Sequence, residues 1–293
     1  MYLGAAVDVS SVHSDNIVGY APRASSIQRV HTMTSEALKQ GRLSSAAASK
    51  LRGCLEWATS HSFGKVARVG TRALKQRQYE GKGKIVLDEE LQEALFHILL
   101  VVSALSPRVV QLLPQRKQPR IVYSDASFEP GSRPRLGWIL LDQLKQVRAA
   151  RTMEIPQEVL DSWIKRSTQI FAAETFCFPA AVMENPEFFM DQDVIWFADN
   201  EASVSTIIRG ACQPEDINGL AEATFVMMAV LRCRLWVEWI DSASNPSDGL
   251  SRTGLSDPLY GNCAEVATPP TWSTPALFAK QCLAHLQERQ LPA

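Results

Sequence analysis

Residues 197–210, FADNEASVSTIIRG, place a carboxylate directly after an apolar run. The residues just before Asp199 include Val194, Ile195, Trp196 and Phe197, and such a run predicts a buried strand. An ionised carboxylate at the end of a buried strand raises the free energy of the folded state unless a cationic group or a metal ion contacts it. Asp199 therefore raises the question of whether other carboxylates converge on the same place.

The composition is typical of a globular protein. With 293 residues, 46% of them hydrophobic, the chain is long enough for one large domain or two modest ones, and we expect two. It has no apolar run of about 18 residues and no signal-peptide pattern at its start. We expect a soluble, intracellular protein without a membrane partner, either cytoplasmic or nuclear. The six cysteines lack the close spacing of a zinc or redox motif and are expected to be reduced thiols.

Charge is distributed unevenly along the chain. Residues 1–120 contain 17 Lys and Arg against 9 Asp and Glu, whereas the remainder contains 13 against 22. One basic cluster in the first half predicts a patch that contacts phosphates, and the alternative is a solvated helix face followed by a basic loop. The cluster consists of Lys65, Arg68, Arg72, Lys75, Arg77, Lys82 and Lys84.

The first half is predicted to be mainly helical after a short strand-like start. The apolar run MYLGAAVDV at residues 1–9 can pair with NIVGYAP at residues 16–22. Pro107 and the segment PQRKQPR at residues 114–120 predict a linker. Helical spacing and helix-end signals predict helices at residues 25–40, 44–63 and 87–105.

From Arg120 onwards the pattern predicts alternating strands and helices. Three strands in an antiparallel meander precede a helix, a fourth strand, two helices, a fifth strand and a terminal turn or helix in which Pro246 takes a first helical position. The segments are RIVYSDAS (120–127), LGWILLD (136–142), VRAARTMEI (147–155), QIFAAETFCFPAAVM (169–183), VIWFAD (194–199), SVSTIIRG (203–210), residues 214–233, LWVEWI (235–240) and NPSDGLSR (245–252).

Four carboxylates occupy related positions in these segments. Asp125 closes the first strand, Glu174 lies in the first helix, Asp199 closes the fourth strand and Asp248 begins the terminal helix. If the first and fourth strands are parallel neighbours, their carboxyl ends share one sheet edge. Ligands commonly bind at this edge in open α/β sheets. Clustered carboxylates repel one another, and divalent cations relieve that cost. Oxygen-only ligands favour Mg²⁺ or Mn²⁺ over zinc.

The motifs YSDAS, AAETF, FADNEAS and NPSDGLSR, in this order, resemble those of the ribonuclease H domains of retroelement polyproteins over roughly residues 120–253. The resemblance implies a ribonuclease H-like α/β fold, with a mixed five-stranded sheet and flanking helices. It further implies that two Mg²⁺ ions, for which Mn²⁺ can substitute, support cleavage of the RNA strand of RNA–DNA hybrids. The implied metal ligands and catalytic residues are Asp125, Glu174, Asp199 and Asp248.

Two of these four assignments have alternatives. The separation of 49 positions from Asp125 to Glu174 is somewhat long for the family, so Asp161 and Glu158 are substitutes for Glu174. Asp241, which directly follows WVEWI, competes with Asp248. We favour Asp248 because NPSDGLSR is the segment that carries the resemblance.

The first half resembles another part of the same polyproteins. YLGAAVD resembles a strand of the reverse-transcriptase palm, and LSSAAASKLRGCLEWATSHSFG resembles the helical thumb and connection. The implied domains are a truncated reverse-transcriptase region (residues 1–118), a ribonuclease H domain (119–255) and a proline-containing tail with a short helix (256–293). Because the sequence contains no Asp-Asp dipeptide, polymerase activity is not expected, and a polymerase subunit or flanking polyprotein domains are the implied partners.

The expected partner is nucleic acid in the form of an RNA–DNA hybrid. The residues expected to contact it are Ser127, Asn200, Lys65, Arg68, Arg72 and Lys75. Two alternatives stay open at this point: a catalytically inactive nucleic-acid-binding remnant, and another nuclease of the ribonuclease H superfamily that cuts a different substrate.

Overall fold

The structure, a computed structural model, describes residues 5–60, 66–80, 83–105, 107–112, 118–129, 131, 133–258, 264–265 and 284. The chain divides into two compact units, residues 1–116 and 117–293. Among the described helices, none is long and apolar enough to cross a membrane.

The first unit combines a small antiparallel sheet with four longer helices. In this sheet β2 lies between β1 and β3 and pairs with both in antiparallel fashion. The elements are β1 (Ala5–Asp8), α1 (Val12–Asp15), β2 (Ile17–Pro22), α2 (Ala24–Gln40), α3 (Ser45–Thr59), α4 (Arg68–Tyr79), α5 (Glu89–Ala104) and β3 (Arg108–Gln111).

The ends of these helices follow local capping signals. Helix α2 ends at Gly41, whose φ of 62° is the left-handed conformation that glycine adopts without a steric penalty. The Ser44 side chain accepts a hydrogen bond from the Ala47 backbone N–H at the start of α3, and Asp88 caps α5 in the same way. The sequence therefore predicted α2, α3 and α5 close to their observed positions.

One part of the linker prediction was wrong. Residues 108–111, directly after Pro107, form β3 and pair with β2 instead of continuing as a linker. Residues 113–117 lie outside the described part of the chain.

The second unit is an α/β layer structure built on one large sheet. Its first three strands are joined by short connections, and helices connect the later ones. The elements are β4 (Arg120–Ser127), β5 (Arg135–Leu141), β6 (Val147–Glu154), α6 (Gln157–Ser162), α7 (Ile170–Glu184), α8 (Pro186–Phe189), β7 (Asp193–Ala198), α9 (Glu201–Arg209), α10 (Glu215–Val230), β8 (Arg234–Trp239), α11 (Asp248–Arg252) and β9 (Ala264–Glu265).

The strand order of this sheet is β8-β7-β4-β5-β6-β9. Strands β4, β5 and β6 form an antiparallel meander, and β7 runs parallel to both β4 and β8. This mixed sheet with flanking helices confirms the α/β fold class expected from the sequence, with six strands in the described residues where five were expected. The sixth strand, β9, pairs parallel with β6 and was not predicted, since its two residues lie in the segment interpreted as a tail.

Helices cover the two faces of the sheet differently. Helix α7 packs against β4, β5 and α10, and its buried residues share one apolar core with the inward side chains of the sheet. Trp196 on β7 stacks on Phe178 of α7 with ring centroids 4.6 Å apart, and its indole N–H donates to Ser124 Oγ at 2.8 Å. The opposite face receives α11, whose Leu250 packs with Ile139 and Ala150.

Candidate active site

Two aspartates reach the same edge of the sheet because β4 and β7 are parallel neighbours. Pairing of these strands extends to Ser124 and Ala198, so the residues that follow, Asp125 and Asp199, lie side by side at the carboxyl ends. Asp125 is still within β4 and is 4% exposed, whereas Asp199 directly follows β7 and is half-buried. Asp199 therefore lies at the strand end where the sequence placed it, whereas β4 continues two residues beyond Asp125.

Helix α7 brings a third carboxylate to this edge. Glu174 lies one turn into the helix and is only 3% exposed. Its Oε1 accepts a hydrogen bond from the Ala126 backbone N–H at 3.1 Å. Its Oε2 is buried and has no hydrogen-bond partner among the described residues. A buried carboxylate oxygen without a partner is costly, so this atom is a candidate ligand for something that the protein alone does not provide.

These three carboxylates form one compact group. A carboxylate oxygen from each of Asp125, Glu174 and Asp199 lies within 4.8 Å of those from the other two. This spacing allows one cation to contact all three side chains.

Burial and mutual repulsion disfavour the ionised forms of this group. Burial raises the pKa of Glu174 well above its ordinary value, and the neighbouring charges of Asp125 and Asp199 raise it further. Burial likewise raises the pKa of Asp125 to about 7, with the charges of Asp199 and Asp248 adding to the effect. A hydrogen bond from Ser251 and the charge of Arg252 act in the opposite direction.

Asp248 lies near this group without belonging to it. It is the first residue of α11, the position predicted for it, whereas Pro246 lies in the turn before the helix and not at a first helical position. Its charge contributes to the raised pKa of both Asp125 and Glu174. Its Oδ1 accepts a hydrogen bond from Arg252 Nε at 2.8 Å. The structure therefore places Asp248 close enough to influence Asp125 and Glu174, with its own carboxylate paired to Arg252.

The alternative acids lie elsewhere. Glu158 and Asp161 are exposed on α6, and Asp161 accepts a hydrogen bond from Gln157 at 2.9 Å. Asp241 is exposed, and its side chain caps the following turn by accepting from the Ala243 backbone N–H at 3.2 Å. None of these three acids belongs to the carboxylate group found among the described residues.

Two residues expected to contact a substrate have partners within the protein. Asn200 Oδ1 accepts from the backbone N–H of Ser203 at 3.0 Å and so caps α9. Ser127 Oγ donates to the Ser251 carbonyl at 2.6 Å. Their hydrogen bonds support local structure beside the carboxylates, and a contact with substrate stays a prediction for both.

The predicted basic patch belongs to the first unit and is smaller than expected. Arg68, Arg72 and Lys75 are exposed on α4, and their spacing of four and three residues places them on one helix face. Arg77 is buried and pairs with Asp88 at 2.9 Å, so it is not part of this surface. Two further predicted members, Lys65 and Lys82, lie outside the described residues.

The donor set of the carboxylate group fits a divalent cation. All the available donors are carboxylate oxygens, which Mg²⁺ and Mn²⁺ prefer over softer ligands. A bound cation would satisfy Glu174 Oε2 and would lower the electrostatic cost of ionising Asp125 and Glu174 together. The residues that would hold it are Asp125, Glu174 and Asp199, with Asp248 beside them.

Sequence reasoning assigned no role to three neighbours of this group. Ser251 Oγ donates to Asp125 Oδ2, Cys177 Sγ contacts the Asp125 carbonyl at 3.2 Å, and Trp239 Nε1 donates to the Asp199 carbonyl at 2.8 Å. A sequence signal existed for Ser251, because the third residue after Asp248 lies on the same side of a helix. No comparable local signal marked Cys177 or Trp239.

Comparison of the sequence with protein-family models and with curated proteins gives no match. Among solved structures, the chain is similar to the RNase H1 of the halophilic archaeon Halobacterium salinarum NRC-1, with 17% identity and a TM-score of 0.37 over 47% of this chain and 98% of that chain. It is also similar to the N-terminal RNase H domain of a Mycobacterium tuberculosis protein, fused to maltose-binding protein, with 15% identity and a TM-score of 0.36 over 47% of this chain and 93% of that one. Conclusions about chemistry therefore depend on the carboxylate group itself.

Proposed function

We propose that this protein is a metal-dependent ribonuclease H that hydrolyses the RNA strand of RNA–DNA hybrids. One observation carries the proposal: one carboxylate oxygen from each of Asp125, Glu174 and Asp199 lies within 4.8 Å of the other two at the carboxyl edge of two parallel strands. Two of these acids are almost fully buried, and burial of closely spaced carboxylates is unfavourable unless a ligand compensates. Clusters of buried carboxylates with raised pKa values are more common at functional sites than in structural cores.

The chain's own residues have distinct tasks in this proposal. Asp125, Glu174 and Asp199 would hold Mg²⁺ or Mn²⁺, and Asp248 would supply further negative charge beside them. Bound divalent cations supply Lewis acidity, which activates a water nucleophile and stabilises the charge that develops at phosphorus. The buried sheet edge keeps the carboxylates in place, so little reorganisation accompanies the reaction. Water attacks phosphorus, the bond to the 3′ oxygen breaks, and the products carry a 5′ phosphate and a 3′ hydroxyl.

The RNA strand of a hybrid is the substrate that best fits the sequence motifs. The order YSDAS, AAETF, FADNEAS, NPSDGLSR resembles that of retroelement ribonuclease H domains. An RNA strand is distinguished from DNA by its 2′-hydroxyls in a wide, shallow minor groove, which allows recognition without base reading. The exposed basic face of α4, formed by Arg68, Arg72 and Lys75, is proposed to contact nucleic-acid phosphates.

The proposal includes a retroelement origin. The motifs of the second unit and the thumb-like helices of the first unit together resemble the end of a reverse transcriptase followed by its ribonuclease H domain. Polymerase activity is not expected, because the chain has no Asp-Asp dipeptide. A polymerase subunit or adjoining polyprotein domains are the proposed protein partners.

The test is cleavage of a hybrid labelled on each strand in turn, with Mg²⁺ or Mn²⁺ and with EDTA. We expect cutting of the RNA strand only, loss of cutting in EDTA, and loss of cutting in Asp199→Asn. The matched control is Asp193→Asn, because Asp193 lies on the same strand as the residues leading to Asp199 but at its opposite end, paired with Arg234. This control is expected to retain activity.

The outcomes separate the proposal from its alternatives. A folded protein that binds hybrid but cuts neither strand under any metal condition is a nucleic-acid-binding remnant. Preferential cutting of single-stranded DNA or of double-stranded RNA indicates another nuclease of the same superfamily. Equal activity of wild type and Asp199→Asn excludes the carboxylate group as the site of chemistry.

A further inference from the structure

Three residues on neighbouring strands form a row beneath α11. Asp125 on β4 pairs with Gly137 on β5, and Gly137 pairs with Thr152 on β6. Cross-strand partners point to the same face of a sheet. The row therefore begins at a carboxylate of the candidate site and continues across the strands on which α11 rests.

Gly137 lets the backbone of α11 approach the sheet. A Cβ at this position would lie 2.6 Å from the Ser251 backbone nitrogen, 2.7 Å from Leu250 Cβ and 2.9 Å from the Leu250 carbonyl carbon. Two of these three atoms belong to the backbone, so a side-chain rotation cannot relieve the overlap. Any residue larger than glycine forces α11 away from β5.

Hydroxyl groups of the sheet hold the end of α11 in place. Thr152 Oγ1 donates to the Leu250 carbonyl at 3.0 Å, and Ser127 Oγ donates to the Ser251 carbonyl at 2.6 Å. The last carbonyl groups of a helix have no partner within the helix itself. In α11, strands β4 and β6 supply those partners, and this fixes the helix relative to the sheet.

Ser251 joins α11 directly to the carboxylate group. Its hydroxyl is fully buried and donates to Asp125 Oδ2. Ser251 Oγ also lies 2.9 Å from the Asp248 carbonyl oxygen. A hydroxyl has only one proton to donate, and the carboxylate is the stronger acceptor. Ser251 therefore donates to Asp125 and links α11, which begins at Asp248, to strand β4.

We propose that Ser127, Gly137, Thr152 and Ser251 form a seat for α11 that holds Asp248 at a fixed position beside Asp125. Gly137, Thr152 and Ser251 are positioning residues, since none of them is proposed to touch substrate or the reacting atoms. Ser127, for which a contact with substrate is also predicted, acts in the seat through its hydrogen bond to the Ser251 carbonyl. The seat sets the spacing of the acids around a divalent cation. The proposal rests on the proposed function only where cleavage is measured, because cation binding and the order of α11 can be followed separately.

The experiment uses the whole protein and two variants that disturb the seat in different ways. Gly137→Ala pushes α11 away, whereas Ser251→Ala removes one hydroxyl with little change of volume. The controls are Thr253→Ala, which removes a hydroxyl that donates to the Gly249 carbonyl one turn earlier at 2.7 Å, and Gly53→Ala, where an added Cβ meets nothing within 4 Å.

Three measurements are made on each protein. Calorimetric titration of the metal-free protein with Mn²⁺ gives the cation affinity. Hydrogen exchange followed by mass spectrometry gives the protection of the α11 amides. Hybrid cleavage at saturating Mg²⁺ gives kcat and KM separately.

For both seat variants we expect the Mn²⁺ affinity to fall by about 10-fold or more, as when groups that orient metal ligands are removed. Exchange in α11 should become faster, and kcat should fall by about 100-fold with KM changed less than about threefold. The controls should match the wild type. In a protein assayed well below its melting temperature, a general loss of stability would not lower kcat in this way while KM stays nearly unchanged.

The seat is overturned if Ser251→Ala, folded as judged by its circular dichroism and melting temperature, keeps wild-type Mn²⁺ affinity and wild-type exchange in α11. This outcome is decisive whether or not Gly137→Ala folds. A wild type that binds Mn²⁺ but cuts no hybrid overturns the proposed function alone, because the titration and exchange measurements still decide the role of the seat.

Discussion

Replacing Asp125 by Asn should stabilise the metal-free protein at alkaline pH. Asp125 is 4% exposed, and its surroundings oppose ionisation: burial is the largest cause, and the charges of Asp199 and Asp248 add to it. Asn has nearly the same shape, carries no charge, and keeps a side-chain oxygen to accept the hydrogen bond from Ser251.

The size of the effect follows from the pKa. The surroundings raise the pKa of Asp125 from 3.8 to about 7. Each tenfold change in an ionisation constant corresponds to about 1.4 kcal/mol, so holding this carboxylate ionised in the folded protein at about pH 8 costs about 4 kcal/mol. We expect Asp125→Asn to increase the free energy of unfolding by about 2–4 kcal/mol under these conditions, the lower value allowing for imperfect fit of the amide.

The pKa values of Asp125 in the folded and unfolded protein also fix the direction in which stability changes with pH. The pKa of Asp125 is higher in the folded than in the unfolded protein, so the folded protein binds the proton more tightly between about pH 4 and about pH 7. The wild type therefore loses stability as the pH rises through this window. The Asn variant has no proton to lose at this position, so its advantage should grow across the window and level off above it.

The assay is urea unfolding followed by tryptophan fluorescence, in EDTA, at several pH values from about 5 to about 8. Asp193→Asn serves as the control and should keep the wild-type pH dependence. Addition of Mg²⁺ should reverse the order of stability, because the cation binds the folded wild type more strongly than the variant. If the metal-free variant is no more stable than the wild type at the alkaline end, the electrostatic description of the site is wrong.

Two further predictions concern other parts of the molecule. Replacing Arg68, Arg72 and Lys75 by Ala together should weaken hybrid binding and reduce the steepness of log affinity against log salt by about 2. Binding titrations at several salt concentrations measure this slope. An unchanged slope would show that α4 does not contact phosphates. Trp196→Phe removes the hydrogen bond to Ser124 and leaves a small cavity in the core, so the free energy of unfolding should fall by about 1–3 kcal/mol. Its kcat at saturating Mg²⁺ should stay within about twofold of the wild-type value. Urea unfolding of the metal-free protein measures the first effect, and a loss below about 0.5 kcal/mol, typical of a surface change, would contradict this view of the core.

Local patterns were sufficient to predict most elements of the second unit. The meander β4-β5-β6 and the strand β7 followed from the apolar runs and turns around them. The sequence left the adjacency of β4 and β7 as a condition, and the structure shows it. The two-residue strand β9 could not be predicted in this way, because so short a segment has no periodicity. Its position depends on the edge that β6 offers for pairing.

The residues of the candidate site and of the basic face were also predicted from the sequence only in part. The sequence placed Asp125 and Asp199 at strand ends and Glu174 in an apolar helix, and the structure brings these three together. For Arg77 the sequence suggested a surface cation, but burial and the ion pair with Asp88 exclude it from the basic face of α4. Charge alone does not indicate burial, since a pairing partner can come from a distant element.

The sequence by itself determined which residue types stand at which element ends, because caps, turns and side-chain periodicity act over a few residues. Only the tertiary structure decided which of those residues meet. Gly137 illustrates the difference: in the sequence it is one glycine inside a predicted strand, whereas in the fold its missing side chain admits the backbone of α11, more than 100 residues later in the chain. The register of β4, β5 and β6 and the packing of α11 create that contact, and neither can be read from the residues next to Gly137.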